Sequence, residues 1–199
     1  MKEIFEIRWH GRGGQGAKTA ALLFGDACLS TGKYIQAFPE YGPERMGAPV
    51  TSFNRISSFP IRIHSGIENP DVVVVLDFSL IEQVNVCEGL DEKDGILLIN
   101  SPLTPEDIKK KINFKGKIYT VDASKIAMET IGRNIPNTPM MGALVKVTGI
   151  LSIEELLKDT DVIIPTLDNL FYMHTAERVA ERMGVKVIKM VRGRLVNDS

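Results

Sequence analysis

A glycine-rich run, GRGGQG at residues 11–16, marks an abrupt junction near the start of the chain. Residues 3–10 before it partly alternate polar and apolar side chains, as a strand does, and residues 17–31 after it have the small-residue pattern of a helix that ends at Gly32. Since glycine adopts backbone conformations closed to other residues, this junction allows a sharp turn between such a strand and such a helix. A strand, a tight glycine loop and a helix are therefore predicted.

Further apolar segments predict the remaining elements. Strands are predicted at residues 33–38, 50–56, 61–64, 72–76, 95–100 and 116–121. Those at 50–56 and 61–64 are expected to form an antiparallel pair around the turn at 57–60. Helices are predicted at residues 105–112, 138–151, 153–158 and 169–183, the third opened by a capping box of Ser152 and Glu155. The basic residues 186–194 are predicted to be a last strand or a subunit-contacting arm.

The order of these elements predicts the fold class. The β-branched run at 72–76 is typical of a strand buried on both faces of a parallel sheet, and strands alternate with helices beyond it. We therefore predict an α/β fold, with a single three-layer α/β/α domain over residues 1–199. Its sheet is expected to be mostly parallel but mixed, with a Rossmann-like glycine loop after the first strand.

The scarcity of cysteine and histidine limits the chemistry that the chain can hold. It has two cysteines and three histidines, whereas an iron–sulfur cluster or a structural zinc site needs about four such ligands. We expect no metal site, and His10 is expected to hydrogen-bond backbone at the end of the first strand. The net charge of −1 argues against a nucleic-acid partner, and no apolar run predicts a membrane span. Without a signal-peptide pattern, a cytoplasmic protein is expected.

The glycine loop also indicates a ligand. Gly11, Gly13 and Gly16 fit the pattern G-x-G-x-x-G, in which the backbone approaches a diphosphate and the first N–H groups of the helix face it. Arg12 would add a positive charge and Gln15 would add amide donors. A loop that only packs closely between strand and helix is the alternative that the residues leave open.

The commonest ligands of glycine loops fit this sequence poorly. A dinucleotide-binding unit carries an acidic residue at the end of its second strand, where this chain has Gln36, Ala37 and Phe38. A P-loop needs a lysine where Ala17 stands. A phosphate-bearing ligand other than NAD or ATP is therefore favoured, with a stand-alone NAD(P)- or flavin-binding oxidoreductase as the alternative.

A second motif, YGPERMGAP at residues 41–49, follows the second predicted strand. In an α/β sheet that loop lies beside the first glycine loop, at the carboxyl ends of the strands. Residues 1–62 carry eight basic and five acidic side chains, so the positive excess lies in the segment with both loops. Arg45 and Arg12 are expected to face one anion from two sides, the alternative being that both are ordinary solvated charges.

Together, GRGGQG and YGPERMGAPV at this spacing resemble the gamma subunit of 2-oxoacid:ferredoxin oxidoreductases, of the pyruvate or pyruvate/2-oxoisovalerate type. The resemblance continues through NPD at 69–71 and NTPM at 137–140 into the C-terminal helices and covers nearly the whole chain. Such enzymes convert a 2-oxoacid, coenzyme A and oxidised ferredoxin to acyl-CoA, carbon dioxide and reduced ferredoxin. The resemblance thus implies a subunit of a larger enzyme, specific for pyruvate, 2-oxoisovalerate or another 2-oxoacid.

The resemblance also implies a division of labour between chains. Thiamine diphosphate and magnesium would be held by the alpha and beta subunits and the 4Fe–4S clusters mostly by a ferredoxin-like delta subunit, so this chain would have no catalytic residue. It would bind the nucleotide end of coenzyme A and reach ferredoxin only through the complex. The residues implied for that role are Gly11, Arg12, Gly13, Gly14, Gln15, Gly16 and Arg45. A purely architectural subunit, whose glycine loop only packs, is the remaining alternative.

Overall fold

Six strands form one open sheet in the computed structural model, which describes residues 3–40, 46–157, 190–191 and 194–195 of the chain. The strands are β1 (Ile4–Arg12), β2 (Tyr34–Pro39), β3 (Pro49–Ser57), β4 (Val72–Val75), β5 (Ile96–Asn100) and β6 (Lys117–Val121). Their order across the sheet is β2-β3-β1-β4-β5-β6. A separate antiparallel pair joins β7 (Met190–Val191) to β8 (Arg194–Leu195), so strand structure is present in the basic C-terminal segment.

The sheet is mixed, with parallel pairs in the majority. Neighbours are parallel from β1 through β4 and β5 to β6, whereas β3 lies antiparallel to both β1 and β2. The predicted class, a mostly parallel mixed α/β sheet, is confirmed. Because β3 runs against both of its neighbours, β1 and β2 point in the same direction although they do not touch.

The predicted pairing of residues 50–56 with a strand at 61–64 is wrong. Residues 61–64 are not a strand, because both edges of β3 are already hydrogen-bonded to β1 and β2. The segment lies instead against side chains of β2 and β3. Gln36 Nε2 donates to Ile63 O at 2.9 Å, and Arg55 Nη2 donates to Gly66 O at 2.8 Å.

Within the described residues, the helical segments are α1 (Ala17–Ser30), a 3-10 helix (Phe78–Glu82), α2 (Pro105–Lys109), α3 (Ala123–Ile131), α4 (Asn137–Thr148) and residues 153–157. The sequence predicts α1, α4 and the helical residues 153–157, places the ends of α2 and α4 three residues too late and misses α3. The capping box is confirmed, since Ser152 N donates to Glu155 Oε2 at 2.7 Å and Glu155 N to Ser152 Oγ at 3.1 Å. The helix predicted at 169–183 lies outside the described residues.

Two apolar cores lie on opposite faces of the sheet, and β4 contributes to both. Val72 and Val74 pack into the core formed with α1 and α4. Val73 and Val75 pack into the core formed with the 3-10 helix and α2. All four valines are fully buried, so the prediction of a strand covered on both faces is confirmed, and with it the three layers.

A buried asparagine ties the first of these cores together. Asn54 Oδ1 accepts from Trp9 Nε1 at 2.8 Å, and Asn54 Nδ2 donates to Ala21 O at 2.8 Å. One side chain therefore links β3 to β1 and to α1. Asn54 and Trp9 are fully buried, and a buried donor left without a partner costs about 1–3 kcal/mol.

We predict that Asn54→Ala lowers the free energy of unfolding by about 2–4 kcal/mol, because it removes both hydrogen bonds and leaves a cavity beside Trp9. Urea unfolding of the purified chain measures the loss. Asn113→Ala serves as the control, since Asn113 is exposed and the same truncation there should change little. Equal effects of the two substitutions would contradict the role given to Asn54.

Candidate functional site

The glycine loop lies where β1 ends and α1 begins. Gly14 and Gly16 have φ values of 95° and 79°, in the left-handed region that favours glycine. Gly16 is the N-cap of α1 and supplies no side-chain hydrogen bond, and the first turn of α1 contains no acidic residue. The partial positive charge of this helix N-terminus is therefore not offset by an acidic residue of its own first turn or by a side-chain cap.

One glycine of the loop is required by packing. A Cβ on Gly11 would lie 3.1 Å from the Cβ of Ala17 and 3.2 Å from Cδ1 of Leu76, closer than most side-chain contacts. The strand, the helix and the end of β4 therefore approach one another closely at this point. This observation favours a packing role for Gly11 whatever the loop binds.

The two sequence motifs meet through their backbones. Gly13 N donates to Ala48 O at 2.9 Å, and Gly47 N donates to Gly13 O at 3.1 Å. These bonds continue the β1–β3 ladder past its last pair, Arg12 with Pro49. The described end of the second motif, residues 46–49, thus lies beside the glycine loop as expected. Arg45 lies outside the described residues, so its approach to Arg12 stays a prediction.

Arg12 is held by three groups of the protein. Its Nη1 donates to Gly47 O at 3.1 Å and its Nη2 to Ser79 Oγ at 2.7 Å, while its Nε lies 3.2 Å from Asp77 Oδ2. Sequence reasoning expects Arg12 to offer a fixed positive charge to a ligand, and the structure shows that this charge is also paired with Asp77. A guanidinium has five N–H groups, so two remain, one on each terminal nitrogen, and the side chain is 21% exposed.

The side chain of Gln15 stabilises the conformation of the glycine loop through hydrogen bonds. Its Oε1 accepts from Arg12 N at 2.8 Å, and its Nε2 donates to Asp77 Oδ2 at 2.7 Å. Gln15 N also donates to Arg12 O at 3.0 Å, which closes the turn. The amide that sequence reasoning offers to a ligand is thus engaged in shaping the loop.

Asp77, just after β4, joins these contacts. Its carboxylate accepts from Ser79 N at 2.9 Å and Ser79 Oγ at 2.6 Å, in addition to Gln15 and the ion pair with Arg12. Partial burial alone would raise the pKa of Asp77, but the hydrogen bonds from Ser79 and Gln15 and the charge of Arg12 together lower it below the ordinary value. Sequence reasoning missed Asp77 and Ser79, although an Asp-x-Ser cap directly after a buried strand is a recognisable signal.

His10 precedes the loop on the same face of β1 as Arg8 and Arg12. Its Nε2 is buried and has no hydrogen-bond partner in the described part of the chain, and the expected bond from the His10 ring to backbone stays a prediction. Burial, and next the positive charge of Arg8, lower the pKa of His10 to about 4. Arg8 itself is buried and donates through Nη2 to Val86 O and Glu88 O. His10 is therefore neutral at physiological pH.

Other chemistry is limited within residues 3–40 and 46–157. No group of three or more histidine, cysteine or acidic side chains in this region is arranged to hold a metal ion. Burial raises the pKa of the Cys87 thiol to about 11, so that thiol stays protonated and unreactive. No helix in the same region is long and apolar enough to cross a membrane.

A glycine loop at the carboxyl end of the first strand of an open sheet, followed by an uncapped helix, is typical of α/β proteins that bind anionic ligands. Comparison with known proteins gives the family. The chain belongs to the pyruvate ferredoxin/flavodoxin oxidoreductase family, whose sequence profile matches residues 6–161. The resemblance drawn from the two glycine-containing motifs is thereby confirmed.

Individual relatives agree with this assignment. The chain is 57% identical over 157 residues to pyruvate synthase subunit PorC of Thermotoga maritima, covering 79% of this chain and 81% of the relative. It is 52% identical over 161 residues to the common gamma subunit of the pyruvate/ketoisovalerate oxidoreductases of Pyrococcus abyssi, covering 79% and 86%. Among solved structures, the pyruvate oxidoreductase subunit PORC of Thermotoga maritima matches with a TM-score of 0.80 and 48% identity, over 90% of this chain and 97% of that one. These matches confirm the predicted fold class.

We predict that the free energy of unfolding falls as the pH is lowered through the range in which the His10 side chain is protonated in the unfolded chain but not in the folded one. The unfolded side chain titrates near 6.5 and the folded one near 4, so between these values only the unfolded chain takes up the proton. The folded state should lose up to about 3 kcal/mol of stability across this window. The loss should be absent above it.

Urea unfolding at several pH values measures the effect. His10→Gln should show a flatter dependence of stability on pH between 4 and 6.5 than the unmodified chain. His64→Gln is the matched control, because His64 is exposed. An unchanged pH profile in His10→Gln would contradict the environment described for His10.

Proposed function

We propose that this chain is the gamma subunit of a pyruvate:ferredoxin oxidoreductase and that it binds the diphosphate end of coenzyme A. The complete enzyme would convert pyruvate, coenzyme A and oxidised ferredoxin to acetyl-CoA, carbon dioxide and reduced ferredoxin. The observation that carries the subunit assignment is the 57% identity to a pyruvate synthase subunit over four-fifths of both chains. A 2-oxoisovalerate-specific enzyme is the second candidate, favoured by the identity to a subunit common to pyruvate and ketoisovalerate oxidoreductases.

The proposal assigns the redox chemistry to partner chains. Thiamine diphosphate and magnesium would lie on alpha and beta subunits, 4Fe–4S clusters mainly on a delta subunit, and ferredoxin would dock on the complex. Support comes from the donor set of the candidate site, which consists of backbone N–H groups and a guanidinium. Such donors suit phosphate oxygens, whereas clusters need thiolates and magnesium needs carboxylates.

The coenzyme A assignment rests on the start of α1. Coenzyme A carries a diphosphate and a 3′-phosphate, and an uncapped helix N-terminus provides backbone N–H groups for such anions. Gly14 and Gly16 bring the backbone close because they have no side chain, and Gly16 supplies no competing cap. In the proposal, Gly11 to Gly16 form the cradle, with Gln15 shaping it from within.

Arg12 would add charge at the edge of this cradle. Its contacts with Asp77, Ser79 and Gly47 fix the guanidinium while leaving an N–H on each terminal nitrogen. A phosphate would therefore meet an arginine that is already oriented, which reduces the ordering needed on binding. Arg45, from the second motif, is proposed as the second cation of the site.

We predict that Arg12→Ala raises the KM for coenzyme A of the reconstituted complex about tenfold or more and leaves the KM for pyruvate unchanged, since a hydrogen bond to a charged group contributes about 1.5–3 kcal/mol. Arg45→Ala should act in the same direction. Steady-state kinetics with each substrate varied in turn measures both. Arg62→Ala, which removes the same charge from an exposed position, is the control.

An unchanged KM for coenzyme A in both Arg12→Ala and Arg45→Ala would remove the coenzyme A assignment. The subunit assignment would stand in that case, because it depends on sequence identity and not on these side chains. A loss of assembly in Arg12→Ala, with normal kinetics in whatever complex forms, would favour an architectural role for the loop.

The sheet order argues against an independent dinucleotide-binding protein. In such proteins the strand after the first helix lies next to β1 and presents its acidic residue there. Here β3 separates β2 from β1, so the end of β2 lies about 10 Å away across two strand spacings. That end also carries Phe38 and Pro39 in place of an acid.

We predict that titration of the purified chain with NADH or NADPH gives no binding signal in nicotinamide fluorescence. The same titration with a known dehydrogenase is the control for the assay. Saturable binding of either nucleotide would restore the dinucleotide alternative.

A further inference from the structure

The outer edge of β2 has no hydrogen-bond partner among the residues that the structure describes. β2 is the last strand on its side of the sheet, and it pairs with β3 alone. Since Glu40 N donates to Thr51 O at 2.9 Å and antiparallel ladders alternate, the even-numbered residues of β2 bond to β3. The backbone N–H and C=O groups of Ile35 and Ala37 therefore point outward. The next outward position is Pro39, which has no N–H to leave unpaired.

This edge lacks the features that usually keep a free strand edge from pairing with another chain. Those features are charged side chains on the edge strand, bulges and short strand length. β2 has six residues, none of them charged, and its register with β3 is continuous from Tyr34 to Pro39. The opposite edge strand, β6, begins by contrast with the exposed Lys117. The edge of β2 is therefore suited to accept a further strand.

Two exposed leucines of α1 lie beside the same edge. α1 packs on β2 and β3, and a Cβ on Gly25 would lie 3.1 Å from Ile35 Cγ2 and 3.2 Å from Ala37 Cβ. The side of α1 that carries Gly25 therefore faces β2. Leu22 and Leu29 share that side, because they lie three residues before and four residues after Gly25. They are 45% and 58% exposed, so an apolar surface extends from the strand edge onto the helix.

A second copy of the chain satisfies this edge when β2 pairs with itself, antiparallel, about a two-fold axis at Gln36. Ile35 of each copy then exchanges two backbone hydrogen bonds with Ala37 of the other. An axis at Ala37 would instead set Ile35 opposite Pro39 and would lose hydrogen bonds, because proline has no N–H. The register centred on Gln36 therefore uses the outward groups of the edge best.

The same arrangement brings the two α1 helices together. The two-fold axis of such a strand pair is perpendicular to the sheet, so both helices lie on the same face of the joined sheet. Each α1 lies over β2 and β3, and strands about 4.8 Å apart place the two helix axes about 10 Å apart. Packed helices are about 8–10 Å apart, so Leu22 and Leu29 of both copies become covered. A lone strand from another protein would leave these leucines exposed, which favours a second copy as the partner.

The remaining side chains in and beside β2 suit this arrangement as well. It sets Tyr34, which is 46% exposed, opposite Phe38 of the other copy, and the two rings form an aromatic cross-strand pair. Lys33 precedes the strand and Glu40 follows it. Antiparallel pairing places the Cα of Lys33 about 6 Å from that of Glu40 in the other copy, at both ends of the interface. Opposite charges thus meet, which favours this orientation over a parallel one, where like charges would be neighbours.

We propose that this chain forms a two-fold dimer through the outer edge of β2 and the exposed leucines of α1. The six-stranded sheets of the two copies join into one continuous sheet across this interface. No residue of the glycine loop takes part, so the inference is independent of the coenzyme A assignment. A complex that contains this chain would accordingly hold it in pairs.

The oligomeric state of the purified chain tests the interface, with sedimentation velocity as the measurement. We expect a dimer at micromolar concentration. Ala37→Pro removes an outward N–H from each copy and no bond to β3, and Leu29→Lys places a charge among the leucines. Each substitution should raise the dissociation constant of the dimer about tenfold or more. Met128→Lys adds the same charge on α3, at a side chain that is 50% exposed, and should leave the constant unaltered.

A cysteine cross-link tests the register. Gln36→Cys puts a thiol beside the two-fold axis, where the two Cα atoms are about 4.5 Å apart, within the range of a disulfide. Oxidation in air with copper phenanthroline should join the two thiols, with oxygen taking up their two electrons and two protons, and non-reducing electrophoresis should show a covalent dimer. Tyr34→Cys is the matched control, because its two Cα atoms would lie about 14 Å apart and should form no cross-link. The unsubstituted chain, in which Cys28 is buried and Cys87 half-buried, gives the background.

A chain that stays monomeric at micromolar concentration overturns the proposal. So does a dimer whose dissociation constant either Ala37→Pro or Leu29→Lys leaves unchanged, or one that Met128→Lys weakens equally. The absence of a cross-link through Gln36→Cys, or an equally strong one through Tyr34→Cys, would show a different register and also overturn it. If Ala37→Pro lowers the melting temperature, Leu29→Lys and the cross-link decide.

Discussion

The carboxylate of Asp77 holds the candidate site in shape. It lies at the end of the fully buried β4 and binds Gln15 from inside the glycine loop, Arg12 from its rim and Ser79 from the 3-10 helix. Because β4 is packed on both faces, the backbone that carries this carboxylate is held in a fixed position. Asp77 thus fixes Arg12 and Gln15 of the loop although it lies about sixty residues further along the chain.

Much of the fold follows from the local pattern of residues. The valine run from Val72 to Val75 predicts a buried strand and the glycine junction at 11–16 predicts a tight turn, and the structure has both. The prediction of a strand at 61–64 was wrong because alternation of polar and apolar residues shows which residues can form a strand but not which strand edge is free to pair with them. Both edges of β3 were taken by β1 and β2, and that is a property of the whole sheet. α3 was missed although Asp122 and Gly132 cap it, because its apolar stripe is short.

The position of the candidate site could be predicted from the sequence, but its side-chain hydrogen bonds and ion pair could not. The sequence places Gly13 beside the second motif, and the backbone bonds to Gly47 and Ala48 agree with that placement. It could not show that Arg12 and Gln15 would be engaged by Asp77, because that partner is distant in sequence and near only once β4 has joined β1.

The backbone ladder that runs past β1 and β3 into Gly13, Gly47 and Ala48 has a consequence for rates of encounter. A glycine loop that stood alone would sample many conformations, and only a fraction of collisions would find it ready. Here the loop is an extension of a sheet, so the conformation that would bind the proposed ligand is already formed before the ligand arrives. Under the proposal, the association rate would be set by diffusion and charge, and different ligands would be distinguished by their dissociation rates.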